Sequence, residues 1–184
     1  MTRTEPTSDY RQKRIILITG DGKGKTTSAL GMVLRAAGHG LRVCVIQFVK
    51  QSADTGEARA LKLLPGVEHH ICGNGFVLPS DSTAQRGHHA AAAEAGLALA
   101  REKLADPKTD MLLLDEICAA VALNLLPLQP VLDALQTAPP GKTVILTGRD
   151  APQAFIDLAD TVSHIHATKH AYTANRSAQP GVEF

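Results

Sequence analysis

Short apolar runs alternate with longer amphipathic segments along this chain. The apolar runs cover residues 15–18, 43–49, 67–71, 111–114, 144–146 and 162–165, and several are rich in β-branched side chains. Because such runs are apolar on both faces, they predict the strands of a parallel sheet that is covered by helices on each side. The segments between them predict helices over 26–37, 83–104, 130–136 and 152–159.

Strands that alternate with helices are typical of an α/β fold. We therefore expect a single domain over residues 15–184, built on a mostly parallel sheet of about six strands, after a short polar arm at 1–14. Ligands of such sheets bind at the carboxyl ends of the strands. Two stretches predict loops, 51–55 and 73–80, and the second carries the apolar residues Phe76, Val77 and Leu78 among turn-forming residues.

Composition narrows the class of protein. The chain has 184 residues, of which 44% are hydrophobic and 20% charged, as in ordinary soluble domains. No apolar run reaches the ~20 residues that span a bilayer, and the start has no apolar secretory segment. A net charge of +1 weakens the case for nucleic-acid binding, which usually shows a basic stripe. The three cysteines form no Cys-x-x-Cys pair and predict buried, reduced thiols in a cytoplasmic protein. We expect neither a nucleic-acid nor a membrane partner.

A glycine-rich loop follows the first predicted strand and runs into the first helix. It comprises Gly20, Asp21, Gly22, Lys23, Gly24, Lys25, Thr26 and Thr27. Its glycines let backbone N–H groups wrap a polyphosphate, and the helix adds the positive end of its dipole. Lys25 is placed to neutralise phosphate oxygens, and the Thr26 hydroxyl is placed to bind Mg²⁺. The alternative is an incidental glycine-rich turn, but the strand–loop–helix context favours a P-loop NTPase-like (RecA-like) fold that binds ATP.

The spacing within this loop differs from the usual one. Gly20 and Gly24 are separated by three residues, whereas the usual loop has four between its glycines, and Thr19 stands where the first glycine is expected. The usual direction of ATP in the site therefore does not follow from the motif.

Two further motifs lie at the ends of predicted strands. Asp115 and Glu116 follow an apolar strand, where a carboxylate holds Mg²⁺ in P-loop proteins. Spacing does not decide which of the two binds metal, and solvated acids are the alternative. Arg149 follows the fifth strand and can contact phosphate, although a surface arginine in a tight turn fits nearly as well. The pairs at 69–70 and 88–89 are adjacent histidines, which point in different directions and predict no bidentate metal site.

In their order, these motifs make the chain similar to the P-loop type of ATP:cob(I)alamin (corrinoid) adenosyltransferases. The resemblance extends from about residue 15 to residue 184. Its most specific segments are 19–27 (TGDGKGKTT), 35–40 (RAAGHG), 45–48 (VIQF), 56–57 (GE), 75–76 (GF), 114–116 (LDE), 147–149 (TGR), 157–160 (DLAD) and 169–171 (KHA).

The resemblance implies that Co(I) of a reduced corrinoid, of the cobalamin or cobyrinic acid diamide type, attacks the 5′ carbon of ATP and that triphosphate leaves. It implies that Lys25, the loop amides and Arg149 contact the triphosphate. Thr26 and Glu116 would then bind Mg²⁺ or Mn²⁺, with Asp115 as a second candidate, while Lys23 and Arg35 are further candidates for ligand contact. A homodimer and a flavoprotein reductant are the partners that it implies.

The chain departs from the family pattern in the 73–80 loop. In the family, apolar side chains beneath the corrinoid remove its lower ligand, and relatives often carry Phe-x-Trp there. This chain has Phe76 and Leu78 in those places and no tryptophan, and its amino-terminal arm is short. Phe76 and Leu78 are therefore the candidate corrinoid contacts, with packing onto the protein body as the alternative. An ordinary P-loop kinase or NTPase, and a non-catalytic nucleotide- or corrinoid-binding module, are the rival functions.

Overall fold

The computed structural model describes residues 12–50 and 54–183, apart from the side chain of Tyr172. Six strands form the sheet, namely β1 (Arg14–Thr19), β2 (Val43–Gln47), β3 (Val67–Ile71), β4 (Met111–Asp115), β5 (Thr143–Thr147) and β6 (Thr161–His164). The helices are α1 (Lys25–Gly38), α2 (Gly56–Leu61), α3 (Thr83–Ala105), α4 (Ile117–Ala122), α5 (Leu128–Gln136) and α6 (Gln153–Leu158), and a 3₁₀ turn follows at Tyr172–Ala174.

All the strands pair in parallel, in the order β3-β2-β4-β5-β1-β6. Alternate residues of the strands face opposite layers of helices. Leu112 and Leu114 belong to the core cluster that includes side chains of α3, α4 and α5, whereas Leu113 belongs to the cluster beneath α1. Burial on both faces explains why the inner strands β1, β2, β4 and β5 have largely apolar sequences. The edge strands β3 and β6 are less buried and more polar than predicted. The expected α/β architecture with six strands is confirmed.

The differences from the predicted elements are local. β2 ends at Gln47, although the apolar run continues to Val49. α5 begins two residues earlier than predicted, with Pro130 in its first turn, where amide groups have no intrahelical acceptor to lose. α2 and α4 were not predicted, because each has only six residues and shows no helical periodicity of its own.

Some expectations fall outside the described residues. Residues 1–11 of the predicted arm and 51–53 of the predicted 51–55 loop belong to this group. Among the described helices, none is both long enough and apolar enough to cross a membrane. The cysteines are free thiols, and burial raises the pKa of Cys44 and Cys118 to about 12, which keeps both protonated.

Candidate active site

The phosphate loop joins the end of β1 to the start of α1. Gly20 and Gly24 have φ angles of 104° and 116°, which other residues rarely adopt. Gly24 is the N-cap of α1, and no side chain caps it. The positive end of the helix dipole is therefore open to an anionic ligand, as the motif predicts.

The segment after β6 supports the loop from one side. The Gly22 amide donates a 2.8 Å hydrogen bond to the Ile165 carbonyl, and the Ile165 amide donates one of 2.8 Å to the Thr19 carbonyl. A Cβ atom on Gly22 would lie 2.7 Å from Cγ2 of Ile165 and 2.8 Å from the backbone of His166. Glycine is required at position 22 because there is no room for a side chain.

Lys25 lies inside the curve of the loop. Its side-chain Nζ donates hydrogen bonds of 2.8 Å to the Gly20 carbonyl and 2.9 Å to the Gly22 carbonyl. Burial lowers the pKa of Lys25, and the nearby Glu116 carboxylate opposes that effect. The ammonium group is thus held at the centre of the loop, where phosphate oxygens would bind.

The carboxylate of Asp115 is completely buried and accepts three hydrogen bonds. Thr26 and Thr147 donate to its Oδ1 over 2.8 and 2.7 Å, and Gln47 donates to its Oδ2 over 2.9 Å. These three donors come from α1, β5 and β2. Asp115 therefore connects the phosphate loop to the middle of the sheet.

A fourth residue extends this network to β3. Nε2 of His69 lies 2.8 Å from Oε1 of Gln47, whose amide nitrogen is already directed at Asp115. Since Oε1 can only accept, His69 must donate from Nε2. Burial lowers the pKa of His69, which favours a neutral ring.

Glu116 adopts a left-handed backbone conformation, with φ of 63°, at the N-cap of α4. Its amide donates a 2.9 Å hydrogen bond to the Thr147 hydroxyl. Burial raises the pKa of Glu116, as does the adjacent Asp115, while Lys25 and Arg149 lower it. Such a conformation costs a non-glycine residue about 1 kcal/mol or more and is common at functional sites. It directs the Glu116 side chain into the pocket, whereas the Asp115 side chain points into the sheet.

A pocket of about 380 Å³ lies above the loop, and Glu116 lines it. Its other lining residues are Lys23, Gly24, Lys25, Thr26, Thr27, Leu30, Lys50, Gly56, Glu57, Gly181, Val182 and Glu183. Lys50 and Glu57 form an ion pair on one wall. The pocket therefore combines the phosphate loop, the Glu116 carboxylate, the start of α2 and residues 181–183.

Lys23 is directed away from the centre of the phosphate loop. Its ammonium group donates a hydrogen bond to the Val182 carbonyl and lies 3.7 Å from the Glu183 carboxylate. In this arrangement Lys23 anchors the segment 181–183 over the pocket, a role that the motif did not suggest.

Arg149 lies at the same edge of the sheet as the phosphate loop, as predicted. Gly148 precedes it with φ of 137°, and a Cβ atom there would lie 2.8 Å from Cβ of Cys118. The Arg149 side chain is exposed, yet its charge acts on Lys25 and Glu116. Arg149 is thus within electrostatic reach of the pocket.

Two other predicted residues lie farther out. Asp21 is exposed, and its charge acts on Lys25. Arg35 is exposed in the last turn of α1, ten residues beyond Lys25, or about 15 Å along the helix axis. The structure does not bring Arg35 to the pocket of its own chain.

The 73–80 loop presents apolar side chains to solvent. Phe76 is 86% exposed and Leu78 is 52% exposed, whereas Val77 packs against the larger core cluster. In this structure Val77 packs onto the core while Phe76 and Leu78 are exposed, and their contact with a corrinoid stays a prediction.

One group of metal-binding residue types lies apart from the pocket. Ligand atoms of Cys44, Glu68 and His70 lie within 4.8 Å of one another. Lys103 donates a 2.5 Å hydrogen bond to Glu68, so its ammonium group already supplies the positive charge there. The Lys103–Glu68 ion pair therefore explains this cluster of polar side chains without a metal ion.

Sequence reasoning assigned no role to Gln47, Thr147 or His69, or to the segment 181–183. Gln47 did carry a signal, because it is a single polar residue in an otherwise apolar strand, and buried polar groups need partners. No signal in the sequence placed residues 181–183 beside Lys23, because that contact spans nearly the whole chain.

Known proteins of one family are similar to this chain over most of its length. The model of the family described as ATP:corrinoid adenosyltransferase BtuR/CobO/CobP matches residues 11–184. The corrinoid adenosyltransferase of Pseudomonas aeruginosa is 41% identical over 183 residues, which cover 98% of this chain and 89% of that protein. Corrinoid adenosyltransferase CobA of Salmonella typhimurium is 43% identical over 170 residues, which cover 92% and 85%.

A solved structure supports the fold alone. The flagellar accessory protein FlaH of Methanocaldococcus jannaschii superposes with a TM-score of 0.55 at 14% sequence identity, covering 84% of this chain and 71% of that chain. This likeness agrees with the observed α/β fold, a parallel sheet flanked by helices.

Proposed function

Since this chain belongs to the ATP:corrinoid adenosyltransferase family, we propose that its phosphate loop and Lys25 hold the triphosphate of ATP during the transfer. The enzyme transfers the 5′-deoxyadenosyl group of ATP to Co(I) of a reduced corrinoid. An electron pair from Co(I) forms the cobalt–carbon bond. The bond between C5′ and its oxygen breaks, and triphosphate leaves with the electron pair of that broken bond. The reaction needs no proton transfer at carbon, and therefore no protein base.

Charge neutralisation is the task that this chemistry leaves to the protein. The leaving triphosphate gains negative charge at the bridging oxygen, and fixed cations lower the energy of that change. The buried Lys25 ammonium, held by two loop carbonyls, supports this role most directly. Arg149 is a second cation at the same edge.

The oxygen donors beside the loop fit Mg²⁺ or Mn²⁺. The Thr26 hydroxyl and the carboxylates of Asp115 and Glu116 are hard ligands of the kind that these ions prefer. Asp115 accepts three hydrogen bonds within the protein, whereas Glu116 lines the pocket. We therefore assign direct binding to Glu116 and Thr26, and orientation of Thr26 to Asp115. When bound, such an ion would supply further positive charge to the triphosphate.

The corrinoid would meet the protein at Phe76 and Leu78. Exposed aromatic and aliphatic side chains on one loop suit the apolar underside of a corrin ring, where they would exclude the lower ligand of cobalt. The exposure of Phe76 supports this assignment. Without a lower ligand, Co(II) is easier to reduce, and this is the step before the transfer.

One assay tests the proposed function. ATP is mixed with chemically reduced cobalamin, the visible spectrum is followed, and the inorganic product is identified. We expect the spectrum of an alkylated corrinoid together with triphosphate in a 1:1 ratio. Release of ADP and phosphate instead would indicate a kinase or NTPase, and tight ATP binding without turnover would indicate a non-catalytic module. The comparisons favour neither of these rivals.

Assembly, location and reductant are also open to test. We propose a homodimer, which analytical ultracentrifugation can measure.

A cytoplasmic location is supported by the free thiols, two of them buried, which suit a reducing compartment. A flavoprotein is the proposed reductant, because single-electron donors of low potential are needed to make Co(I).

A further inference from the structure

The first residues of the 73–80 loop contact the segment that follows β2. The Gly75 amide donates a 3.0 Å hydrogen bond to the Val49 carbonyl, just beyond the end of β2. At Gly73, a Cβ atom would lie 2.4 Å from the carbonyl carbon of Val49 and 2.6 Å from the Lys50 carbonyl oxygen. The backbone at Gly73 therefore lies directly against the segment that leads to the pocket, and this end of the loop has little freedom.

The rest of the loop is fastened to α3. The Asn74 side-chain amide donates a 2.9 Å hydrogen bond to the His88 carbonyl. The Leu78 amide donates a 2.8 Å hydrogen bond to Oδ2 of Asp81, and Nε2 of His89 lies 3.6 Å from the same oxygen. The side chains of Asp81 and His89 are only 7% and 11% exposed. A polar contact this well shielded from water is stronger than the same contact at the surface.

These contacts hold the backbone of the loop while the side chains of Phe76 and Leu78 stay exposed. Of the three apolar residues, only Val77 packs against the core, and Phe76 and Leu78 contribute little to holding the loop in place. The conformation depends instead on polar contacts, of which the one through Asp81 acts on Leu78 itself. Fixing a loop in its binding conformation lowers the entropy cost of binding.

We infer that Asp81 and His89 are positioning residues that hold Phe76 and Leu78 ready for the corrinoid ring. His89 extends from α3 and fixes the Asp81 carboxylate, which in turn fixes the backbone amide of Leu78. This inference rests on the proposed role of Phe76 and Leu78 and names residues that act on them without touching the substrate.

The test measures the coordination of Co(II) in the complete protein with ATP and Co(II) cobalamin. Asp81→Ala and His89→Ala are expected to lower the ratio of four- to five-coordinate cobalt in the visible and paramagnetic resonance spectra. For Asp81→Ala we expect a decrease of about tenfold or more, because its charge-assisted hydrogen bond to the Leu78 amide is lost. For His89→Ala we expect a smaller decrease, because its 3.6 Å contact with Asp81 is longer than a hydrogen bond. Asp81→Asn, which keeps an oxygen acceptor for Leu78, is expected to recover part of the ratio. Rates measured with ready-made Co(I) should change less than about twofold.

His88→Ala is the matched control, because its side chain is exposed and only its backbone carbonyl contacts the loop. It should leave the ratio unchanged. Circular dichroism and urea unfolding establish that each variant is folded, and if Asp81→Ala is not, Asp81→Asn and His89→Ala decide the outcome.

Phe76→Ala, measured in parallel, distinguishes the positioning role of Asp81 and His89 from the corrinoid contact of the loop itself. If Phe76→Ala lowers the four-coordinate ratio and the Asp81 and His89 variants do not, the positioning role is overturned while the corrinoid contact stands. If Phe76→Ala also leaves the ratio unchanged, the loop does not face the corrinoid and both ideas fail. Equal slowing of the Co(II) and Co(I) assays by His89→Ala would mean that His89 only supports folding, and this too would overturn the inference.

Discussion

The Thr26 hydroxyl donates a 2.8 Å hydrogen bond to the buried carboxylate of Asp115, which lies 89 residues farther along the chain. This bond joins the first turn of α1 to the end of β4. Because Gln47 and Thr147 donate to the same carboxylate, the orientation of Thr26 depends on three strands of the sheet. The phosphate loop is thus held by the sheet beneath it as well as by its own glycines.

Lys25→Ala should remove most of the activity and weaken ATP binding, while the fold remains intact. Losing a charge-assisted contact to phosphate costs about 1.5–3 kcal/mol in binding, and more where charge develops in the reaction. ATP titration and steady-state kinetics measure both effects. Lys23→Ala is the control, because Lys23 contacts residues 182 and 183, and we expect it to cost less. Near-normal activity of folded Lys25→Ala would contradict the loop assignment.

Glu116→Gln should impair Mg²⁺-dependent activity more than Asp115→Asn does. Asp115→Asn should instead lower the free energy of unfolding by about 1–3 kcal/mol, because an amide would face three donors in a buried place. Metal titration of activity and urea unfolding of both variants separate the two roles. If Asp115→Asn shows the larger increase in the metal requirement, the direct ligand is Asp115.

Phe76→Ala should slow adenosylation that starts from Co(II) and a biological reductant. It should matter much less when Co(I) is supplied ready-made, because removal of the lower ligand is then bypassed. Leu78→Trp should raise the four-coordinate fraction of Co(II) if Leu78 lies beneath the ring. Both results are read from the Co(II) spectrum with ATP bound, and equal slowing of both assays by Phe76→Ala would exclude the corrinoid contact.

Gly22→Ala should weaken ATP binding at least tenfold, because its Cβ atom would lie 2.7 Å from Ile165 and would push the loop off its support. Gly31→Ala is the matched control in α1. Its Cβ atom would have nothing within 4 Å, and alanine there should raise the free energy of unfolding by about 0.5–1 kcal/mol. Isothermal titration with ATP and thermal unfolding compare the two, and unchanged affinity in Gly22→Ala would contradict the close packing.

Stability should fall as the pH decreases through the ordinary titration range of histidine, in part because of His69. Burial holds the pKa of His69 below its ordinary value of 6.5. The unfolded chain therefore takes up a proton at a higher pH than the folded protein does. The contribution of His69 to stability is fully present above pH 6.5 and is lost as the pH falls below 6.5. The charged groups that also act on His69 are Glu57, which raises its pKa, and His70, Lys50 and Lys62, which lower it.

His69→Gln keeps a donor for Gln47 without the titration. Its free energy of unfolding, measured with urea, should change less between pH 7.5 and 5.5 than that of the unchanged protein. His88→Ala, which removes an exposed histidine, controls for the general effect of losing a titrating group. Identical pH dependence in His69→Gln and the unchanged protein would show that His69 titrates alike in the folded and unfolded states.

The six strands and the phosphate loop could be predicted because their signals are local. The inner strands β1, β2, β4 and β5 are buried and therefore apolar along most of their length. A loop that wraps phosphate needs glycines and a lysine at close spacing. The position of Asp115 and Glu116 at a strand end was predicted on the same grounds. α2 and α4 gave no such signal, since six residues are too few to establish a helical period.

The amino-acid sequence determined which segments form the sheet, where the phosphate loop lies and to which family the chain belongs. Tertiary structure decided that Asp115 faces inward to three donors and Glu116 outward to the pocket, although the two are neighbours in the chain. It also placed His69 beside Gln47 and brought residues 181–183 to Lys23. The physical reason is that hydrogen bonds and burial join side chains from distant segments, whereas pattern and spacing report only what neighbouring residues share.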